Sequence, residues 1–509
     1  MILGSNDKPA ERGVKKEINI EMTQAKTLGE LKHSGFTSKG IKRELRDNLI
    51  ENLKGGISVF KNIHGYEDSV IPDIERAILS GHNINLLGLR GQAKTRIARS
   101  MVNLLDEWLP IIEGSEINDD PFNPISHFAK QTIKELGDDT PITWIHRNER
   151  FVEKLATPDV SVADLIGDID PVKAFNLKLS YSDQQVIHYG LVPRSNRCIF
   201  VINELPDLQP RIQVSLFNIL QEGDIQIRGF KLRLPLDIQF VFTANPEDYT
   251  NRGSIITPLK DRIGSQILTH YPKNIEIAKT ITRQEARLSE SQKAMVKIPE
   301  LAVELIEQIV LEARKSEYVD AKSGVSARLS ISAYENLIST AERRAILTGE
   351  KTTMIRISDF EGVIPAITGK VEMVYEGEQE GPYNVAQTLI GKAIRALFDK
   401  YCPPIEKLKK KGQESTNLYK HITNWFEKGN DLDLVSTNND RQYMAALNQV
   451  DSLAAFFDDH LKNTQQSEKY LWMEFILFGL AEHSKLSRNA LTKGFQFKDL
   501  VGSMFEGLG

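Results

Sequence analysis

The chain has 509 residues, 26% of them charged and 40% hydrophobic, with a formal net charge of −5. That length exceeds what a single core organises, so two or three domains are expected. The slight acidity is unlike the basic stripe of a nucleic-acid binder, and no specific nucleic acid is expected. Two cysteines, Cys198 and Cys402, exclude a disulfide framework and a CxxC metal site. No apolar run reaches the roughly 20 residues of a membrane span. The opening stretch also lacks the apolar segment of a signal peptide, so a cytoplasmic location is expected.

In chain order, residues 1–54 read as a tail of about 25 residues and then a helical lead-in of mixed charge and helical spacing. Residues 55–272 alternate short apolar runs with helical stretches. The runs are INLLG (84–88), PITWIH (141–146), CIFVI (198–202), IQFVFTA (238–244) and SQILTHY (265–271). Such alternation predicts a parallel sheet covered by helices. Residues 273–371 carry helical apolar stripes, with Ser358 an expected N-cap and Glu361 three residues on. Residues 372–383, acidic with Gly and Pro, read as a linker. Residues 384–509 are again mostly helical. Their most apolar stretch, YLWMEFILFGLAEH (470–483), is too short to cross a bilayer and reads as a buried helix or a partner face.

The strongest chemical signal is LLGLRGQAKTRIAR (86–99), a glycine-rich turn between an apolar strand and a helix. Gly88 and Gly91 let the backbone wrap a phosphate with its N–H groups, together with Gln92 and Ala93. Lys94 reaches the outer phosphates, the Thr95 hydroxyl ligates Mg²⁺, and Arg96 follows on the helix. Ala93 stands where the usual GxxxxGK[ST] pattern has its last glycine.

Downstream, CIFVINE ends an apolar strand in Asn203-Glu204, and IQFVFTANPEDY ends another in Asn245. TPLKDRIG offers Arg262 after a turn, and GVSARLS places Arg328 at a helix start. Singly these are weak, because a strand-end Asn is usually a cap and a lone Arg usually a solvated side chain. Their joint order after the loop is what carries weight.

With those motifs in place, residues 55–371 resemble the AAA+ ATPases, and most closely the branch of the magnesium chelatase I subunit and the MoxR proteins. The longer stretches 109–124, 156–174, 188–208 and 222–246 carry the resemblance to that branch. It implies an AAA+ P-loop α/β domain (55–272), a helical lid (273–371), a linker (372–383) and an additional C-terminal helical region (384–509). It implies ATP and Mg²⁺ as cofactors. Gly88, Gly91, Lys94 and Thr95 would form Walker A, and Asn203 and Glu204 Walker B. Thr95 and Asn203 would serve the metal, and Glu204 would polarise the attacking water. Asn245 would be sensor 1, Arg262 an arginine finger offered to a neighbouring subunit, and Arg328 sensor 2. Gly65 and Tyr66 would lie on the adenine side. The implied assembly is a ring, usually a hexamer, acting in a chaperone-like way on a separate protein with a von Willebrand A domain.

Asn203 departs from the usual Asp. It keeps a carbonyl that can accept a hydrogen bond from a metal-bound water but lacks the charge, so slow Mg²⁺-dependent hydrolysis is expected. Three readings stay open: a remodelling motor, the motor subunit of a metal chelatase, and a nucleotide-dependent scaffold without turnover. The residues name no client protein.

Overall fold

The structure is a computed structural model that describes residues 25–180, 183–227, 233–246, 254–405, 418–462 and 464–500. The expected N-terminal tail lies outside the described residues. The chain forms two compact units, Met1–His270 and Tyr271–Gly509.

Among its described residues the first unit has eleven strands: β1 (Ile84–Leu87), β2 (Trp108–Ile112), β3 (Ile142–His146), β4 (Phe151–Leu155), β5 (Gly167–Ile169), β6 (Ile187–Tyr189), β7 (Ile199–Asn203), β8 (Asp224–Gln226), β9 (Arg233–Pro235), β10 (Gln239–Ala244) and β11 (Ser265–Leu268). Five of them make one sheet in the order β11-β1-β10-β7-β4, every neighbouring pair parallel. The innermost strands β7 and β10 are buried at every position, as expected where helices cover both faces. Successive side chains point to opposite faces. Ile84, Leu86, Ile199, Val201 and Val241 therefore meet Ile41, Leu45, Ile74 and Ile97 of the covering helices. Phe200, Ile202, Phe240 and Phe242 face the other layer, with Ile212, Leu216 and Leu259.

One expected strand takes a different place. PITWIH forms β3, but β3 pairs antiparallel with β2 in a separate ribbon. The fifth position in the main sheet belongs to β4, FVEKL. Its two central charges, Glu153 and Lys154, hide it from an apolar-run criterion. As an edge strand it tolerates them, since its burial is only partial. β4 is anchored at its root by Arg150, whose guanidinium donates to both carboxylate oxygens of Glu44 at 2.7 Å and to the Arg197 carbonyl at 3.0 Å. Both charges are almost fully buried, so each depends on the other for solvation. Glu44 sits on helix Ile41–Lys54, and the pair thereby binds the lead-in segment into this unit. The antiparallel pairs β5–β6 and β8–β9 lie outside the main sheet, and their Ile187, Tyr189, Ile225 and Leu234 are buried in the same apolar cluster as Phe200 and Phe242.

The second unit is built on helices Ile275–Glu285, Glu300–Lys315, Arg328–Thr348, Pro382–Tyr401 and Lys469–Glu482. It also holds a two-stranded pair, β12 (Val296–Lys297) with β13 (Thr353–Met354). A three-stranded antiparallel sheet comes next, made of β14 (Leu432–Val435), β15 (Ser487–Leu491) and β16 (Gly494–Lys498). The C-terminal region, expected to be helical, thus contains a sheet. The boundary expected at 372–383 is not a break in packing, because one apolar core runs from Val296 to Phe497. The expected linker holds a short helix, Tyr375–Glu380, and a Cβ on its Gly377 would come within 2.4 Å of the Tyr318 carbonyl. Helix Lys469–Glu482 is buried from Leu471 through Leu480, which answers the choice between buried helix and partner face. Ser358 is not an N-cap. The cap of the 3₁₀ turn Ile357–Val363 is Arg356, and the Ser358 N–H donates to Glu474. Among the described residues no helix is long and apolar enough to cross a membrane.

Candidate nucleotide site

β1 ends at Leu87 in the middle of the parallel sheet, and the turn Gly88–Ala93 leads directly into helix Lys94–Ser100. The turn is held from three sides. The Gly88 N–H donates to the Ala244 carbonyl at 3.1 Å. The one proton of the Tyr66 hydroxyl is shared between the Gln92 carbonyl at 3.1 Å and the His270 carbonyl at 2.7 Å. The Thr269 hydroxyl donates to Gln92 Oε1 at 2.7 Å. A Cβ on Gly88 would lie 2.0 Å from Thr269 Oγ1 and 2.2 Å from Gln92 Oε1, so only glycine fits there. Gly91 adopts φ +74°, and Ala93, at the departing glycine position, is also left-handed at φ +55°. That conformation costs a non-glycine residue free energy that the surrounding bonds must offset.

The turn aims Lys94 inward. Its side chain is buried, and Nζ donates to the carbonyls of Gly88 and of Leu89 (3.0 Å) and to Asn245 Oδ1 at 2.6 Å. Asn245, just past the end of β10, donates its amide to Glu204 Oε2 at 2.6 Å. Glu204 comes directly after β7 and has φ +56°, a second strained residue within the same cluster. Its N–H donates to Thr243 Oγ1 at 3.2 Å. Lys94, Asn245 and Glu204 therefore form one hydrogen-bonded chain across the carboxyl ends of β1, β10 and β7, where ligands of open parallel sheets bind.

A second chain runs beside it. Thr95 Oγ1 donates to Asn203 Oδ1 at 3.2 Å, and Thr243 Oγ1 donates to the same oxygen at 3.1 Å. The Asn203 amide nitrogen donates to Glu153 Oε1 at 2.6 Å. The other oxygen of Glu153 accepts from Arg99 at 2.7 Å. Glu153, Thr243 and Arg99 are not among the residues that the sequence motifs single out. The only sequence signal for Glu153 is a carboxylate two residues into a short mixed run.

The donor set fits a nucleoside triphosphate with a hydrated divalent cation. It offers a buried ammonium, loop N–H groups, a hydroxyl and an amide oxygen side by side. Among the described residues no three His, Cys, Asp or Glu side chains converge on a metal position. A cation here would ride on phosphate oxygens with help from Thr95 and Asn203, rather than in a protein cage.

The remaining expected residues stand outside these two chains. Gly65 has φ +83° and precedes the buried Tyr66, whose hydroxyl braces the loop and whose ring packs edge-on against His270. Arg96 is half-buried on the loop helix. Arg262, at the end of helix Thr257–Arg262, donates to Gln221 Oε1 at 3.0 Å and to the Pro258 carbonyl at 2.8 Å, over the Phe217 ring. Arg328 is exposed at the first turn of its helix in the second unit.

Residues 142–263 match the AAA domain of the dynein-related subfamily. That segment holds β4, β7 and β10, and with them Glu153, Asn203, Glu204, Asn245 and Arg262. No curated protein matches the sequence. Among solved structures, NtrX from Brucella abortus is 15% identical, with 57% of this chain and 55% of that chain covered and a TM-score of 0.33. This chain thus spans about half the length of NtrX. Hsp104 bound to an ATP analogue and casein is 14% identical over 61% of this chain and 50% of that one, at a TM-score of 0.36. The magnesium chelatase BchI–BchD complex is 19% identical over 63% of this chain and 98% of that one, at 0.33. The matched domain, the five-stranded parallel sheet and the loop after its β1 strand identify the first unit as an AAA+ nucleotide-binding fold, followed by an additional, largely helical C-terminal region.

Proposed function

We propose that this chain binds ATP with Mg²⁺, hydrolyses it, and uses the cycle to remodel or activate a partner protein. The observation that supports this best is the chain Lys94–Asn245–Glu204, which joins a phosphate-seeking ammonium to a carboxylate through one amide. In the reaction, Lys94 would turn from the loop carbonyls to the outer phosphate oxygens and offset their charge. Asn245, freed at its carbonyl, would orient the attacking water. Glu204 would accept that water's proton as it attacks, a role that needs the carboxylate within hydrogen-bond reach of the water. Bound Mg²⁺ would supply charge neutralisation across the phosphates. The test is a pair of measurements on Glu204→Gln: nucleotide affinity and steady-state phosphate release. Retained binding with lost release supports hydrolysis at this site, and unchanged release refutes it.

The ring and its partner extend the same proposal. Arg262, only partly buried, would reach a neighbouring subunit's nucleotide in a ring, usually a hexamer. The partner would be a protein with a von Willebrand A domain. Mixed rings of Arg262→Ala and Lys94→Ala subunits should regain some turnover if the arginine acts across the interface. Co-purification in the presence of ATP tests the partner.

Asn203 favours a second reading, a scaffold that binds nucleotide without turning it over. Absence of phosphate release above the Glu204→Gln background, at saturating Mg²⁺, would select it.

A further inference from the structure

We propose that Glu153 is a positioning residue for the metal site: it holds the Asn203 amide with its oxygen toward Thr95, and it supplies from β4 the negative charge that the end of β7 lacks. The proposal rests on the reading of this site as one for nucleotide and concerns a residue outside the loop, the strand-end pair and the sensor position.

A side-chain amide has an accepting end and a donating end, and only its partners decide which way it faces. The partners of Asn203 are two threonine hydroxyls and one carboxylate. A hydroxyl can donate or accept, so Thr95 and Thr243 accommodate either orientation. The Glu153 carboxylate can only accept. Turning the amide over would set two oxygens against each other across a contact of 2.6 Å. Glu153 is thus the partner that discriminates, and it leaves the Asn203 oxygen beside Thr95.

The register explains why this residue can do so. β4 and β7 are parallel, with Leu155 opposite Asn203 and Glu153 opposite Val201. Glu153 is two residues back along β4 and so lies on the same face as Asn203, a diagonal neighbour within reach of a long side chain. Arg99 pairs with its other oxygen but is itself 68% exposed, so water screens much of that pairing. A carboxylate at 203 would meet the Glu153 carboxylate directly. The two positions therefore constitute one unit, an amide on β7 and an acid on β4, whose mirror arrangement would be an acid on β7 and an amide on β4.

The test is a four-protein cycle of wild type, Glu153→Gln, Asn203→Asp and the double variant, in the full chain. Two readouts are needed: affinity for a fluorescent ATP analogue at graded Mg²⁺, and the melting temperature without nucleotide. Glu153→Gln should raise the Mg²⁺ needed for half-maximal binding by about tenfold, or 1.4 kcal/mol, with affinity in the absence of Mg²⁺ unchanged. Asn203→Asp should lower the melting temperature. The double variant should return both quantities close to wild type. Arg99→Ala should leave the Mg²⁺ dependence where it is, which separates positioning of Asn203 from a simple ion pair. Additive effects at 153 and 203, or an unshifted Mg²⁺ dependence in Glu153→Gln, would overturn the proposal. If wild type binds no nucleotide, the nucleotide reading fails separately. Melting temperatures then decide the linkage alone: non-additivity upholds it and additivity removes it.

Discussion

Glu204 in the first unit and Glu474 in the second are both carboxylates held by donors from separate segments, yet they differ in what surrounds them. Glu474 is fully buried within helix Lys469–Glu482 and accepts from the N–H groups of Ile357 (2.7 Å) and Ser358 (3.1 Å) and from the Tyr443 hydroxyl (2.8 Å). Burial pushes its carboxyl above the usual range. Glu204 is half-buried at a strand end, left-handed in its backbone, and within one amide of Lys94. The same group thus does two jobs. Enclosed, it fastens three segments that are distant in sequence, and its loss leaves the Ile357 and Ser358 N–H groups unpaired. At the rim of a sheet, where water can replace a partner, the proposed function has it exchange its bond to Asn245 for one to a ligand or water. Burial decides which, because an unmet polar group is costly only where water cannot replace the partner.

The most damaging way to break that contrast is to remove residues 384–509. Residues 271–383 would then expose the core they share with helices Pro382–Tyr401 and Lys469–Glu482. We expect them to lose protection in hydrogen exchange and to aggregate, whereas a separable C-terminal module would leave them folded.

Glu474→Ala is milder. It strips the buried Ile357 and Ser358 N–H groups of their acceptor, at about 1–3 kcal/mol each, and leaves the Tyr443 hydroxyl only the Tyr470 carbonyl at 3.2 Å, so a loss of about 3–5 kcal/mol is expected in denaturant unfolding. The raised carboxyl sets the pH dependence. Its folded form binds a proton more tightly than its unfolded form. Its contribution to stability therefore rises as pH falls through the raised folded value, and levels off at the ordinary carboxylate range. Glu474→Gln should flatten that slope in melts taken from neutral to mildly acidic pH.

At the sheet rim, Lys94→Ala should weaken nucleotide binding by about 100-fold or more, roughly 2.7 kcal/mol, with the far-ultraviolet circular dichroism unchanged. On the proposed function the charge serves phosphate rather than the core. The smallest effect should come from Ala93→Gly. Glycine relieves the left-handed strain but loses more conformational freedom, so a gain of about 0.5 kcal/mol in stability is expected from melting temperatures.

Much of the first unit is legible in the sequence because its signals are local. Gly88 through Thr95 are consecutive, and four of the five sheet strands are apolar runs that a window of a few residues detects. Asn203, Glu204 and Asn245 are marked simply by being the first polar residues after such runs. The fifth strand, β4, has no such run, whereas its neighbour PITWIH does. Only competition for the sheet edge, with Arg150 fastened to Glu44, puts FVEKL there. The second unit hides its unity for a similar reason. Gly and acidic residues at 372–383 are what a linker looks like locally, while the Glu474 contacts with Ile357 and Ser358 join positions more than a hundred residues apart.

By itself, then, the sequence determined the loop, the order of the polar strand ends and the helical character of most of the chain beyond residue 272, since each depends on spacing along the chain. Tertiary structure decided that Asn203 faces Thr95 with its oxygen and Glu153 with its nitrogen. That choice is set by the register of two strands whose residues lie 50 positions apart, and no periodicity along the chain encodes a diagonal across a sheet.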